Sequence, residues 1–388
     1  MQTKTNARSL PKGWRWVKLG DICEFTYGES LPARARQSDG KVPVYGSNGI
    51  VGYHNQAVTS GPTIIIGRKG SIGEVHFSKV DCFPIDTTYY IERPKLDTDL
   101  IWLFYGLKYL KLQNLNRAAA VPGLNREDAY TLEIPIPPLD EQRRIASRLN
   151  EQLAAVESAR KAAEEQLQAA WQLPSAYLRE VFDDNHFKKW HWDKLGRHVS
   201  KIGSGITPSG GQASYLRSGI PLIRSQNVHM NRFSYDGLAF ISKEQDEAMA
   251  GSRVLPNDVL LNITGASIGR VTVVPKELGP ANVNQHVSII RCDDKIIPEF
   301  LSLYISRPDF QKSILDMQAG ATRQALTKAL IENFDIPMPD TQEQKSIVDL
   351  LHGKMKETDV LIESLESQLA EIESLPASLL REAFAGQL

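Results

Sequence analysis

The chain has 388 residues, of which 41% are hydrophobic and 23% charged, and its formal net charge is −1. These values are typical of ordinary globular domains, allow for two or three of them, and argue against a chain coated in nucleic acid. No apolar run approaches the roughly 18 residues that a membrane helix needs, and the polar start lacks a signal-peptide core. Three cysteines without a C-x-x-C pair are expected as free thiols, so we predict a cytoplasmic protein.

The first part of the chain alternates short β-rich runs with glycine-containing turns. "PTIIIG" at 62–67 and "TTYYIE" at 87–92 have the composition of strands, and the turn "GRKGSIG" at 67–73 lies between them. A short helix is predicted at 99–112. Residues 1–80 hold 11 Lys and Arg against 5 Asp and Glu. This local excess can serve as a footprint for phosphates, or it can be ordinary surface variation.

A long helix is predicted next. Glycine is absent from residue 124 to Gly196, and apolar residues recur at helical spacing. Leu149, Val156, Ala163 and Ala170 lie seven residues apart, a repeat typical of helices that pack along a seam. The predicted helix covers about 140–173, which corresponds to roughly 50 Å. We expect Pro174 to kink or end it.

The same order of segments then recurs. The second part opens with a basic stretch, 187–255, which has 10 Lys and Arg against 5 Asp and Glu. The closing stretch, 341–388, is acidic, with 4 Lys and Arg against 9 Asp and Glu. Its long helix carries Leu351, Thr358, Leu365 and Ile372 seven apart and is expected to kink or end at Pro376. The predicted elements are strands at 258–263, 270–275 and 286–291, a helix at 298–317 and a long helix at 342–375.

The two halves are copies of one unit. Ile134-Pro135 and Ile336-Pro337 are 202 residues apart, and Glu141-Gln142 matches Glu343-Gln344 at the same shift. "GWRWVKLGD" near the start likewise resembles "KWHWDKLGR" in the second half. Such self-similarity indicates duplication.

We therefore predict an α+β fold with two β-rich mixed globular domains and a pseudo-two-fold internal repeat. The domains would be joined by two long helices packed as an antiparallel coiled coil, although each helix could instead pack on its own domain. The predicted segments are a first domain at 1–138, a central helix at 139–182, a second domain at 183–340 and a C-terminal helix at 341–388. The predicted seam side chains are Ile145, Leu149, Leu153, Val156, Leu167, Ile347, Leu351, Leu361, Leu365 and Leu369.

Signatures of catalysis are missing from the sequence. It contains no G-x-x-x-x-G-K-[ST], G-x-S-x-G or H-E-x-x-H pattern. His186 and His191 lie five apart without cysteine neighbours and match no metal-binding spacing, so we expect no metal site. The chain is therefore predicted to be non-catalytic.

A set of repeated motifs carries a resemblance. It consists of W-x-x-x-x-L-G at 14–20 and 190–196, "PVYGSNGIVGYH" at 43–54, "PTIIIGRKGSIGEV" at 62–75, "CFPIDTTYY" at 82–90, "GSGITPS" at 203–209, "IPLIRSQNV" at 220–228 and "NITGASIGRV" at 262–271. With these motifs the chain resembles the specificity subunit of a type I DNA restriction-modification system, over nearly its whole length.

The resemblance implies a function in phage defence. Each globular part would be a target-recognition domain that reads one half of a split double-stranded DNA sequence, and the paired helices would set the spacer. The subunit would bind no cofactor itself. It would dock two methyltransferase subunits, which methylate adenine with S-adenosylmethionine, and two restriction subunits, which require ATP and magnesium.

The candidate DNA contacts are polar or basic side chains in loops. In the first domain they are Arg34, Arg36, Ser47, Asn48, Arg68, Lys69, Ser71, Thr87, Thr88 and Arg117. In the second they are Lys201, Ser204, Thr207, Ser209, Arg224, Gln226, Asn227, Thr264, Ser267, Gln285 and Arg323. In the second copy Thr264 and Gly265 match Arg68 and Lys69, so other cations such as Arg224 or Arg323 are expected to position its DNA.

Other interpretations fit the same residues. Many of these candidates also form turns, and Asn48-Gly49 alone is a strong hairpin signal. The protein could be a DNA-binding module that acts without a methyltransferase, or a structural protein whose helices serve assembly only. The target bases and the spacer length do not follow from the sequence, because readout depends on loop geometry.

Overall fold

Residues 10–115, 123–319 and 325–388 are described by our structure, a computed structural model. The predicted α+β class is confirmed: short strands form small sheets, and two long helices of 43 and 44 residues connect and follow the β-rich parts. The chain forms two units. Unit 1 contains the residues up to 165 together with 366–388, and unit 2 contains 166–365. None of the described helices is long and apolar enough to cross a membrane.

Unit 1 contains a four-stranded and a three-stranded sheet. Its strands are β1 (Arg15–Lys18), β2 (Thr26–Tyr27), β3 (Val42–Gly46), β4 (Gly49–His54), β5 (Thr63–Gly67), β6 (Val75–Ser78), β7 (Phe83–Pro84), β8 (Thr88–Ile91) and β9 (Glu133–Ile136). Its helices are α1 (Leu19–Ile22), α2 (Leu100–Leu110), α3 (Arg126–Tyr130) and the first part of α4 (Leu139–Val181). The sheet orders are β2-β8-β5-β6 and β4-β3-β7, and β1 pairs with β9. Isoleucine-rich β5 is buried along its whole length, as a central strand requires.

Unit 2 repeats this plan with longer insertions. Its strands are β10 (His191–Lys194), β11 (Val199–Ser204), β12 (Ile220–Ile223), β13 (Val228–His229), β14 (Arg232–Phe233), β15 (Ala239–Ile241), β16 (Arg253–Val254), β17 (Val259–Asn262), β18 (Val271–Val273), β19 (Ala281–Val283), β20 (Val287–Cys292) and β21 (Asp335–Met338). Its further helices are α5 (Asp184–Phe187), α6 (Lys243–Ala248), α7 (Pro298–Ile305), α8 (Pro308–Ala319), α9 (Lys328–Glu332) and α10 (Thr341–Phe384). The sheet orders are β11-β20-β17-β18 and β15-β12-β19-β16.

The internal repeat is visible in the strand registers. Trp16 of β1 lies opposite Pro135 of β9, and Trp192 of β10 lies opposite Pro337 of β21. The parallel pair β3·β7 in unit 1 corresponds to the parallel pair β12·β19 in unit 2. The prolines are tolerated because each belongs to a two-stranded pair.

The repeated Glu-Gln dipeptide has a structural cause. The side chain of Gln142 is buried, accepts from the Asp99 N–H at 2.9 Å and donates to the Pro137 carbonyl at 2.9 Å. Gln344 does the same with the Ile297 N–H (2.8 Å) and the Pro339 carbonyl (2.9 Å). In each copy one amide therefore ties the start of a long helix to the backbone before a shorter one.

Pro174 and Pro376 do not end the long helices. Each helix continues past its proline, to Val181 in α4 and to Phe384 in α10. An interior proline removes a hydrogen bond and costs about 3 kcal/mol. Aromatic packing supports the turns that follow. The Phe384 ring lies 4.8 Å from the ring of Tyr109 in unit 1, and the ring of Phe182, the residue after α4, lies 5.7 Å from that of Phe300 in unit 2.

The two long helices pack against each other within each unit. In unit 2, Ala170 of α4 shares a buried cluster with Ile362 and Leu365 of α10, and Glu180 lies 3.1 Å from Lys354. The later residues of α4 thus meet the earlier residues of α10, so the pair is antiparallel. In unit 1, Ile145 and Phe384 share one cluster with side chains of α2 and β5. Both predicted arrangements therefore hold, because each helix packs on its partner and on a β-rich core.

One predicted seam position is wrong. Leu361 is 43% exposed, whereas its neighbour Ile362 is 6% exposed and faces the cluster. Ile145, Leu149, Ile347, Leu351 and Leu365 are buried, and Leu153, Val156, Leu167 and Leu369 are half-buried. The helix predicted at 298–317 is two helices, α7 and α8, because Pro308 begins the second.

Candidate nucleic-acid interface

Three loops of unit 1 meet at one end of its sheets. They are the turn at 47–48 between β3 and β4, the loop at 68–74 between β5 and β6, and the turn at 85–87 before β8. The N–H groups of Arg68 and Lys69 donate to the Thr87 carbonyl at 2.9 and 3.1 Å. The His76 ring donates to the Ser47 carbonyl at 3.3 Å. We call these three loops loop cluster 1.

An exposed aromatic ring beside this cluster is in contact with two arginines. The Arg68 guanidinium carbon is 5.3 Å from the ring centre of Tyr27, and that of Arg126 is also 5.3 Å away. Tyr27 is 49% exposed. Tyr89 is a second ring near Arg68, whose guanidinium carbon lies 6.0 Å from the ring centre. Burial, followed by the hydrogen bond with the Tyr27 hydroxyl, raises the pKa of Tyr89 to about 12. Aromatic rings in contact with arginine side chains are common in surfaces that bind nucleic acid.

The remaining candidates of unit 1 differ in accessibility. Lys69 and Asn48 are exposed, and Ser47, Ser71 and Thr87 are partly exposed. Thr88 is buried and donates to the Ile85 carbonyl at 2.7 Å, so its side chain serves the turn and is not a surface contact. Arg34 is exposed on a short turn outside the three loops, and Arg36 donates to the Val51 carbonyl on β4 at 3.0 Å.

Loops of unit 2 are joined by a chain of four polar side chains. The Thr207 hydroxyl donates to Oε1 of Gln285 at 2.5 Å. Nε2 of Gln285 lies 3.0 Å from Nε2 of His286, whose Nδ1 lies 2.6 Å from the hydroxyl of Thr264. Three loops, at 204–209, 263–269 and 284–286, are therefore tied together, and we call them loop cluster 2.

The other candidates of unit 2 lie around this network. Ser204 and Ser209 are exposed, and the Ser267 hydroxyl accepts from Asn262 at 3.2 Å. Asn227 is buried and donates to the Ser234 and Asp236 carbonyls, so it holds a turn and is not a surface contact.

The cationic candidates of unit 2 are also tied to the backbone. Arg224 and Gln226 both donate to the Gly237 carbonyl, at 2.6 and 3.2 Å. Lys201 donates to the Arg253 carbonyl at 3.2 Å, and burial lowers its pKa, with a smaller effect from Arg291. Arg117 and Arg323 lie outside the described residues.

Backbone hydrogen bonds define which loop positions correspond. Leu124 N–H donates to the Arg68 carbonyl in unit 1, and Leu326 N–H donates to the Ile263 carbonyl in unit 2. Ile263, and not Thr264, therefore takes the place of Arg68, and Thr264 that of Lys69. The predicted match was displaced by one residue because the loop from Asn262 to Gly269 is one residue longer than its counterpart from Gly67 to Gly73.

Glycine is required at equivalent places in both clusters. A Cβ atom on Gly28 would lie 2.2 Å from the Ile85 carbonyl oxygen, and one on Gly205 would lie 1.6 Å from that of Val283. Both distances are impossible for a side chain, so both positions need glycine. The residues next to them, Tyr27 and Ser204, are thereby held beside the loops.

Sequence reasoning missed Tyr27, Arg126 and His286. Tyr27 adjoins the constrained Gly28, and that constraint could have indicated it. Arg126 has no such local signal, because it reaches Tyr27 only through the fold. His286 directly follows the candidate Gln285, but its contact with Thr264 depends on the fold. Within the described ranges, no group of three or more His, Cys, Asp or Glu side chains is placed to hold a metal ion.

Comparison with known proteins decides the family. The family model described as "Type I restriction modification DNA specificity domain" matches residues 11–167 and 199–373, one match in each half of the chain. The chain belongs to this specificity-domain family. Among its curated relatives, the EcoBI specificity subunit of Escherichia coli is 28% identical over 72% of this chain and 64% of its own length. The MjaVIII specificity subunit of Methanocaldococcus jannaschii is 21% identical, and the match covers 98% of this chain and 94% of that subunit.

Two solved structures share the fold of this chain. The HsdS subunit from Thermoanaerobacter tengcongensis aligns with a TM-score of 0.62 at 22% identity, covering 99% of both chains. A chain from work on "complex assembly and conformational transition of the type I R-M system" aligns with a TM-score of 0.75 at 21% identity. That alignment covers 98% of this chain and 100% of the other.

Proposed function

We propose that this protein is the DNA-recognition subunit of a type I restriction-modification complex and that each β-rich domain reads one half of a bipartite target. One observation carries the proposal: equivalent loops on equivalent sheets hold different side chains. Lys69 of loop cluster 1 corresponds to Thr264 of loop cluster 2, and Asp86 corresponds to Gln285. Two domains that recognise different half-sites require the same fold with different side chains in the recognition loops.

The two kinds of side chain would have different tasks. Arg68, Lys69 and Arg126 would position the duplex through its phosphates, which carry no sequence information. Hydroxyl, amide and carboxylate groups of the loops would contact base edges in the major groove, where the four base pairs differ in their donors and acceptors. The chain itself is non-catalytic.

The chemistry would be carried by partners. We infer that two methyltransferase subunits using S-adenosylmethionine, and two restriction subunits using ATP and magnesium, assemble with this chain in the cytoplasm. The long helices α4 and α10 would provide the docking surface and set the spacer between the half-sites. Each helix spans roughly 65 Å at about 1.5 Å per residue, which is ample for such a spacer.

A selection from random DNA tests the proposal. The full chain, assembled with its methyltransferase partner, is incubated with a library of random duplexes, and the bound fraction is sequenced. We expect two short enriched sequences at a constant separation. Enrichment of one continuous sequence would contradict the two-reader arrangement. Enrichment of none would favour a protein whose helices serve assembly only.

A further inference from the structure

The side-chain amide of Gln285 is exposed, and only half of its hydrogen-bonding capacity is occupied. It lies on the turn between β19 and β20, in loop cluster 2. A carboxamide can accept two hydrogen bonds at oxygen and donate two at nitrogen. Thr207 takes one acceptor site of Oε1, and His286 takes one donor of Nε2. One acceptor site and one donor therefore remain.

The amide oxygen of Gln285 faces Thr207 and its nitrogen faces His286. Because Nε2 of Gln285 can only donate, the facing Nε2 of His286 accepts in this arrangement, and Nδ1 of His286 donates to the Thr264 hydroxyl at 2.6 Å. Rotating the amide by half a turn fits the same partners only if the imidazole proton moves to Nε2 and both hydroxyls exchange their roles. Thr207, His286 and Thr264 therefore couple the order of donor and acceptor on the amide to the tautomer of His286.

We propose that Gln285 reads an adenine in the half-site of the second domain. Oε1 would accept from the adenine N6 amino group while Nε2 donates to N7, the bidentate pair that glutamine and asparagine form in the major groove. Thr207 and His286 would be positioning residues that keep donor and acceptor in the correct order. The inference rests on the proposed function and assigns one base type to one side chain.

The first domain offers a contrast at the same place. The turn 85–88 of unit 1 corresponds to the turn 284–287 of unit 2, because each makes the same two backbone hydrogen bonds. Within the turns, the Thr88 N–H donates to the Ile85 carbonyl, and the Val287 N–H donates to the Asn284 carbonyl. From the neighbouring loops, the Arg68 N–H donates to the Thr87 carbonyl, and the Ile263 N–H donates to the His286 carbonyl. Gln285 therefore corresponds to Asp86, which is exposed and whose carboxylate only accepts. The equivalent position of the first domain therefore does not present the adenine pattern.

The test uses the assembled complex and a random duplex library, with Gln285→Ala and Gln285→Glu beside the unaltered chain. We expect Gln285→Ala to reduce the preference for adenine at one position of one half-site by about 5- to 140-fold. Gln285→Glu should shift that position towards cytosine, because a carboxylate accepts from the cytosine N4 amino group. The other half-site, which must remain selected, reports that the variant is folded and assembled.

Several outcomes would overturn the inference. One is an unchanged preference at every position, and another is a change at a position where adenine was not preferred. Loss of the entire half-site by both variants would show that Gln285 only holds the loop. If the unaltered chain selects no sequence at all, the proposed function fails instead.

Matched variants separate reading from positioning. Gln212→Glu makes the same chemical change at an exposed glutamine outside loop cluster 2, and we expect it to leave the Gln285 position unchanged. Thr207→Val should weaken the same adenine preference as Gln285→Ala, and Thr207→Ser, which keeps the hydroxyl, should restore it. Equal behaviour of Thr207→Val and Thr207→Ser would contradict the positioning role.

Discussion

Replacing both Arg68 and Lys69 by alanine should weaken DNA binding without changing which sequence is preferred. Lys69 is exposed, and Arg68 is held by two hydrogen bonds to the carbonyl of Asp86 and by the ring of Tyr27. A carbonyl does not neutralise a guanidinium. Within the described residues neither cation forms a salt bridge, so both charges are available to phosphates.

The size of the effect follows from counterion release. Each phosphate contact contributes about 0.9 to the slope of log affinity against log salt, so losing two contacts should reduce the slope by about 1.8. Between about 50 and 200 mM salt, the unaltered complex should then lose about 12-fold more affinity than the double variant. The measurement is a titration of target and non-target duplexes across a salt series.

A control lies on the same hairpin. Lys79 is exposed just after β6, at the end of that strand away from loop cluster 1, and Lys79→Ala should keep the original slope. A double variant with the unaltered slope would refute the assignment of Arg68 and Lys69 as phosphate contacts. Loss of target preference at an unchanged slope would mean that they read bases.

Two further predictions concern the long helices. Inserting one heptad into each helix, near Ala163 and Leu365, adds about 10 Å to its length. Because duplex DNA rises about 3.4 Å per base pair, the spacer in the methylated target should become roughly three base pairs longer. An active variant with the original spacer would contradict the spacer role. Gln142→Leu and Gln344→Leu each leave buried backbone groups unpaired and should destabilise the fold by about 1–3 kcal/mol per group. Urea unfolding measures this, and exposed Gln168→Leu, the matched control, should have little effect.

Local patterns were sufficient to predict much of the fold. The strands β5, β8 and β17 lie within one residue of their predicted bounds, because β-branched runs between turns indicate strands directly. The heptad spacing placed Leu149 and Leu351 correctly in buried positions. The helices pass Pro174 and Pro376, and Phe182 and Phe384 beyond those prolines are buried in hydrophobic clusters. These contacts are non-local, so the local sequence did not predict them.

The site was less predictable for a different reason. Thr88 and Asn227 are polar loop residues like Lys69, yet their hydrogen bonds are internal. Residue type alone does not distinguish a group that holds a turn from one that is available to a ligand. Arg126 was missed because its partner Tyr27 is distant in sequence, and His286 was missed because its contact with Thr264 is non-local. The boundaries of the recognition domains and the roles of the loop residues stay predictions.

The most direct test of the account is a domain exchange. Residues 1–138 are replaced by the corresponding segment of a relative with a known target, and the methylated adenines of a host genome that carries the hybrid and its methyltransferase are mapped by sequencing. We predict that one half of the methylated target becomes that of the relative while the other half and its spacer stay the same. A change in both halves, or in neither, would contradict the claim that the two domains read DNA independently.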